Sequence, residues 1–184
     1  MDKQDEQAAR FRTLHESGVF VIPNVWDGAS SAIMRGLGFK ALATSSAACA
    51  ASLGKLDGEV TREEALVHAG LIVSLSGLPV SADLENGFGH APETVAETIR
   101  LAAGAGLVGG SIEDASGDAR VPIYEFEHAV ERVSAAVQVL PGKAPPPLAG
   151  GGVYFGANIG GHAPDYNFHY RQFACIRVGH RLVC

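Results

Sequence analysis

Asp83, Glu85 and Glu113 stand where two short apolar runs give out, in the segments PVSADLENGFG and GGSIEDA. Each run reads as a β-strand, and a helical pattern follows each one. Parallel strands in a strand–helix repeat deliver their C-terminal ends to one face, where ligands bind. Carboxylates gathered on that face repel one another unless a proton or a cation intervenes. An all-oxygen set of this kind suits a hard divalent ion, Mg²⁺ foremost. The chemistry indicated is that of an enzyme.

The elements that must position these groups alternate along the chain. Gln4 to Ser17 reads as a helix with Ala8, Phe11 and Leu14 on one face. Val19 to Pro23 reads as a strand, and Ala29 to Leu37 as a helix stopped by Gly38. Ala41 to Thr44 is the second expected strand. Thr61 and Glu64 form a capping-box pattern that opens a helix running to about Ser76, where Gly77 and Pro79 end it. Val80 to Asp83 is the third strand, and Pro92 suits the first turn of the helix after it. Gly109 to Ile112 is the fourth strand, with a helix over Ile123 to Val139. The expected fold is α/β, a TIM (β/α)8-type barrel of which about the first four βα units are present.

Bulk properties narrow the function further. A chain of 184 residues, 47% apolar and 18% charged, is that of an ordinary soluble globular domain with a real core. Its net charge of −6 and the lack of any basic cluster disfavour non-specific nucleic-acid binding. No apolar run reaches the ~20 residues that span a bilayer. The charged N-terminus lacks the apolar core of a signal peptide, so a cytoplasmic location is the default expectation. Cys49, Cys175 and Cys184 are too few and too scattered for a disulfide framework or a zinc site. His68 and His128 fall on helical segments and read as packing or surface residues.

The text changes near residue 140. Residues 1–140 hold 19 acidic and 10 basic residues, whereas 141–184 hold one and four. The later stretch carries PPP, GGG and six of the twelve Phe and Tyr residues, with no sustained period. Two domains of text are therefore expected, the half barrel over 1–140 and an irregular tail over 141–184. The tail reads either as a Pro/Gly-rich linker with an aromatic extension or as out-of-frame translation.

The three segments GVFVIPNVWDGASSAIMRGLGFKALATSSAACAASLGKLDGE, PVSADLENGFG and GGSIEDA, in that order and spacing, resemble the isocitrate lyase/phosphoenolpyruvate mutase superfamily. The resemblance is strongest to its short-chain members and covers roughly residues 8 to 140. It implies a (β/α)8 barrel, commonly a homo-oligomer, acting on a small α-oxo or hydroxy acid with Mg²⁺. It implies Asp83 as the direct metal ligand, with Glu85 and Glu113 holding the metal's waters. Ser45 and Ser46 match the strand-end turn that grips substrate oxygens, and Asp57 matches the acidic residue on the loop after the second strand. Such enzymes make or break the C–C or P–C bond beside an enolpyruvate unit.

The residues read by themselves agree. Hydroxyls and backbone N–H groups around Thr44, Ser45 and Ser46 suit oxyanion stabilisation, and Asp57 suits proton handling or leaving-group positioning. Plainer readings stand beside these: Ser45 or Ser46 as a helix cap, Asp57 as a turn residue ahead of Gly58, and Asp27 as an N-cap.

Two departures are visible. Where family lyases carry a Lys–Cys–Gly–His type loop, this chain has SIEDASGDARVPIYEFE, without cysteine. The later strands that bring an arginine to the substrate carboxylate have no counterpart. The chain thus reads as a truncated, Mg²⁺-dependent lyase-type enzyme holding half an active site. The alternative is a non-catalytic barrel fragment that associates with an intact paralogue.

Overall fold

The computed structural model describes residues 3–16, 18–139, 154–158, 176–178 and 181–183. The elements, in chain order, are α1 (Lys3–Glu16), α2 (Gly28–Gly36), β1 (Leu42–Ala43), α3 (Ser46–Ser52), α4 (Arg62–Ser76) and β2 (Val80–Asp83). They continue with α5 (Pro92–Gly104), β3 (Gly109–Glu113), α6 (Phe126–Gln138), β4 (Tyr154–Asn158), β5 (Ile176–Val178) and β6 (Arg181–Val183). Strands β1-β2-β3-β4 form one parallel sheet in that order, while β5 and β6 form an antiparallel pair. Among the described residues no helix is long and apolar enough to cross a membrane.

Local chemistry accounts for most helix ends. Asp27 accepts from the Ser30 N–H at 2.7 Å and caps α2. Thr61 and Glu64 close the expected capping box on α4, and Gly77 ends that helix at φ 61°. Pro92 occupies the first turn of α5, where its missing N–H costs nothing.

Period-two alternation then sorts the strand side chains. Val80, Ala82, Leu84 and Ile112 are buried against Ile72, Val95, Ile99 and Ala136 of the helices. Ser81 and Asp83 of β2, with Ser111 and Glu113 of β3, take the opposite face. Full burial of each Ile, Leu or Val stabilises by about 1.5–3 kcal/mol, so this helix–sheet layer fixes the strand ends.

Helix α1 closes the other end. Phe11 is buried with Ala41 and Val108, which enter β1 and β3. The Gln4 side chain donates to the carbonyls of Ala103 and Leu107, and that of Gln7 to Gly77. All three carbonyls lie at or just beyond the C-terminal ends of α4 and α5, on the side of the sheet away from Asp83 and Glu113.

Three expectations change. The strand expected over 19–23 does not form: the chain meets β1 through the single parallel bridge Asn24 to Ala43, and Pro23 has no N–H with which to carry that ladder further back. The segment 46–52, where the sequence offered no more than a helix cap at Ser45 or Ser46, is helix α3, about two alanine-rich turns and too short to show a period. Within 141–184, strand β4 pairs with β3 in parallel, Gly109 opposite Tyr154 through Glu113 opposite Asn158. The linker and out-of-frame readings of that segment rest mostly on residues outside the described ones.

Candidate active site

The acidic groups are placed by strand register. Asp83 lies opposite Ser111 in the β2–β3 ladder, and the Glu113 N–H donates to the Glu85 carbonyl at 2.7 Å. Glu85, two residues past β2, and Glu113, the last residue of β3, are therefore neighbours. Thr44 sits beside them: its N–H donates to the Ser81 carbonyl, and its hydroxyl accepts from the Asp83 N–H at 3.1 Å.

Asp83 is held through both carboxylate oxygens. Oδ2 accepts from the Ser46 N–H at 3.1 Å and Oδ1 from the Glu85 N–H at 3.0 Å. Ser45 is the N-cap of α3, its hydroxyl accepting from the Ala48 N–H. The plainer reading thus holds for Ser45, which caps α3, while Thr44 and Ser46 orient Asp83.

Asp57 lies in a tight turn closed by the Glu59 N–H on the Leu56 carbonyl, with Gly58 at φ 85°. From that turn it faces the cluster. Burial, then the negative charges of Asp57, Asp83 and Glu113, push the Glu85 carboxyl up to about 7. The four carboxylates therefore share one electrostatic environment. Of the four, Asp57 and Glu85 line a cleft of about 740 Å³, together with Asn86, Phe88, Thr61 and Arg62 among others.

Glu85 itself is strained. It and Phe88 take φ of 48° and 59°, the left-handed region that costs a non-glycine residue roughly 1 kcal/mol or more. The turn they belong to is tied inward by the Gly87 N–H on the Leu84 carbonyl and the Phe88 N–H on Asn86 Oδ1.

The residues suit a hard cation in one manner. Every donor is an oxygen, and Mg²⁺ binds through one or two carboxylates while keeping several waters. Among the described residues no group of three His, Cys, Asp or Glu is close enough to ligate one ion directly. A direct Asp83 ligand with water-bridged Glu85 and Glu113 meets both conditions.

The segment 114–124 is a closed loop. The Tyr124 N–H donates to the Asp114 carbonyl and the Ser116 N–H to the Pro122 carbonyl, each at 2.9 Å, and Ser116 Oγ donates to the Val121 carbonyl. Cys49 is on the buried face of α3, and burial, reinforced by Glu85 and Glu64, pushes its thiol up to about 11. Neither supplies a cysteine acid. His68 is a packing residue whose Nε2 meets the Trp26 carbonyl at 2.7 Å.

Sequence reasoning missed Asn86, Tyr124 and Arg132. Asn86 lines the cleft and its amide donates to the Ser116 carbonyl. Arg132 is 1% exposed, beneath the same turn. Its signal was available: it falls four residues before the buried Ala136, on the apolar side of its helix.

A parallel sheet backed by helices, with its polar groups at the strand C-termini, is the architecture of the (β/α)8-barrel class. Residues 11–145 match the family model described as phosphoenolpyruvate phosphomutase. The chain belongs to that family, within the isocitrate lyase/PEP mutase superfamily.

It is 30% identical over 148 residues to 2-methylisocitrate lyase of Bacillus subtilis (strain 168), covering 74% of this chain and 49% of that enzyme. Among solved structures, a proposed lyase/mutase from Burkholderia cenocepacia J2315 is 49% identical with a TM-score of 0.79, over 86% of this chain and 55% of that one. An oxaloacetate acetylhydrolase solved with its product oxalate is 30% identical with a TM-score of 0.68, over 75% and 50%. The chain spans about half the length of the curated relatives it matches.

Proposed function

We propose that this chain carries the cation-holding half of a lyase-type active site that acts on a small α-oxo or hydroxy acid beside an enolpyruvate unit. The observation that carries the reading is the placement of Asp83, Glu85 and Glu113 on neighbouring strand ends, with Asp57 facing them over an open cleft. Asp83 would hold Mg²⁺ directly, with Glu85 and Glu113 holding its waters. The ion would supply Lewis-acid stabilisation of negative charge on a substrate oxygen, worth several kcal/mol.

The chain's own residues do the rest. Thr44 and the Ser46 N–H orient Asp83, and the Thr44–Ser46 turn offers small polar groups to the substrate. Asp57, on its turn at the cleft wall, is the candidate for moving a proton or placing the leaving group. The cysteine-free loop over 114–124 favours chemistry without a thiol acid. Calorimetry tests the reading: pyruvate or oxalate is expected to bind only with Mg²⁺ present, and binding that ignores Mg²⁺, or none, overturns it.

One observation favours a second reading. Val19 and Val21 are 99% and 63% exposed beside the outer edge of the sheet. Apolar side chains along an edge that meets no further strand among the described residues suit a barrel fragment that pairs with an intact paralogue. Co-elution with a full-length relative, without Mg²⁺-dependent ligand binding, would select it.

A further inference from the structure

We propose that Arg132, on α6, is a positioning residue for the acidic site. It would fix the turn that follows Glu85 and so hold Glu85 against Asp83 and Glu113. The proposal rests on reading those carboxylates as a cation site.

The argument starts from an expensive placement. Arg132 is buried, and an arginine out of water costs several kcal/mol unless its donors are satisfied. Among the described residues its hydrogen-bond partners are all backbone carbonyls. One terminal nitrogen donates to Gly89 and His90, each at 2.6 Å, and the other donates to Asn86. Charge-assisted bonds of this kind are about twice as strong as neutral ones. A leucine or methionine in this layer would pack without the desolvation cost, but it would leave those carbonyls without this donor.

The surroundings make the guanidinium rigid. Its carbon lies 4.1 Å from the centre of the Tyr124 ring. The Tyr124 hydroxyl meets His90 Nδ1 at 2.6 Å, and His128 Nε2 meets the His90 carbonyl at 3.0 Å. Thr98 on α5 donates to the Gly87 carbonyl at 2.8 Å. Arg132 therefore spans the turn from its first residue to its last.

What it restrains is strained and adjacent to the site. Glu85 and Phe88 both sit in the left-handed region. Left alone, such a turn relaxes toward right-handed or extended backbone. Relaxation would carry Glu85 off the Glu113 N–H and turn its carboxylate from the cluster. Groups behind a ligand shell typically change metal affinity by 10–100-fold when removed.

The test uses the 184-residue chain as wild type, Arg132→Met and Arg132→Lys. Mn²⁺ binding is read by electron paramagnetic resonance, and amide hydrogen exchange is read residue by residue. Circular dichroism establishes that each variant is folded at the assay temperature. Arg132→Met is expected to bind Mn²⁺ about tenfold more weakly. Exchange at Gly87, Phe88 and Glu113 should quicken while α4 and α5 keep their protection. Arg132→Lys should fall between, since its donors all radiate from one nitrogen, whereas the guanidinium reaches these carbonyls from two.

Folded Arg132→Met with wild-type Mn²⁺ affinity and wild-type exchange would overturn the proposal and leave Arg132 a packing residue. If wild type itself does not bind Mn²⁺, the cation reading fails and the exchange data alone decide the part played by Arg132. If Arg132→Met does not fold, Arg132→Lys carries the comparison, and wild-type behaviour in both readouts overturns the proposal. Failure of both variants to fold overturns it too, in favour of a purely structural role.

Discussion

The Ser46 N–H and the carboxylate of Asp83 meet at 3.1 Å, so the first turn of α3 and the end of β2 share one charged group. The other oxygen of that carboxylate takes the Glu85 N–H. Asp83→Asn keeps the shape but must present its amide NH₂ to one of these two donors. It is expected to lose about 1–3 kcal/mol of stability. It should also lose all stabilisation by millimolar Mg²⁺ in urea unfolding. A variant still protected by Mg²⁺ as strongly as wild type would remove Asp83 from the ligand set.

Glu85 predicts how stability varies with pH. Its carboxyl is raised to about 7, by burial first and then by Asp57, Asp83 and Glu113. The folded chain thus holds this proton more tightly than the unfolded chain does. The associated stability is complete below the ordinary glutamate value and is lost as pH rises toward 7. Glu85→Gln removes that slope. Near about pH 8 the variant should be more stable than wild type, by on the order of 1 kcal/mol once solvent screening is allowed for. The two should converge near about pH 4. Thermal midpoints across that range check it, and parallel curves would sink it.

Glu64 predicts a slope of the opposite sign. The Lys55 ammonium, 2.6 Å away, and then the Thr61 N–H and hydroxyl hold its carboxyl down at about 2. Its stabilising contribution is therefore present above the ordinary glutamate value and lost as pH falls toward 2. Glu64→Gln should be less stable than wild type at neutral pH and indistinguishable from it in strong acid. Thr61→Ala, which removes the other half of the capping box, should cost about 1 kcal/mol. Chemical denaturation of both variants at two pH values would test the pair. A Glu64→Gln deficit that persists in acid would argue against the ion pair.

The alternating strands and helices, the caps at Asp27 and Thr61, and the strand ends at Asp83 and Glu113 were legible because each depends on neighbours in sequence. What was not legible depends on neighbours in space. Val19–Pro23 has the composition of a strand, yet its register against β1 leaves it only the bridge at Asn24. Helix α3 is held by the Ser45 cap and by burial of Ala48, Cys49 and Ala50, none of which makes a period in seven residues. The left-handed turn at Glu85 reads as an ordinary acidic loop until the carbonyls bonded to Arg132 are seen. Arginine in a helix reads as surface, and only the burial of Ala136 beside it says otherwise.

Gly109 ties the site's strand to the far end of the molecule, and its substitution tests that tie. A Cβ there would stand 2.8 Å from Phe11 Cε1 and 3.0 Å from Ser81 Oγ. The strand cannot yield, because β3 is paired on both sides. Phe11 can yield only by leaving its pocket against Ala41 and Val108. Gly109→Ala should therefore destabilise by about 1–3 kcal/mol, as overpacking in a tight core does. Phe11→Leu alone also costs stability by vacating part of the same space. Combined, the two changes should cost less than the sum of their separate effects, because the smaller side chain makes room for the new methyl. Urea unfolding of the four proteins gives that coupling directly. Strict additivity would mean that α1 does not press on β3, and that the sheet's lower end is closed by something other than Phe11.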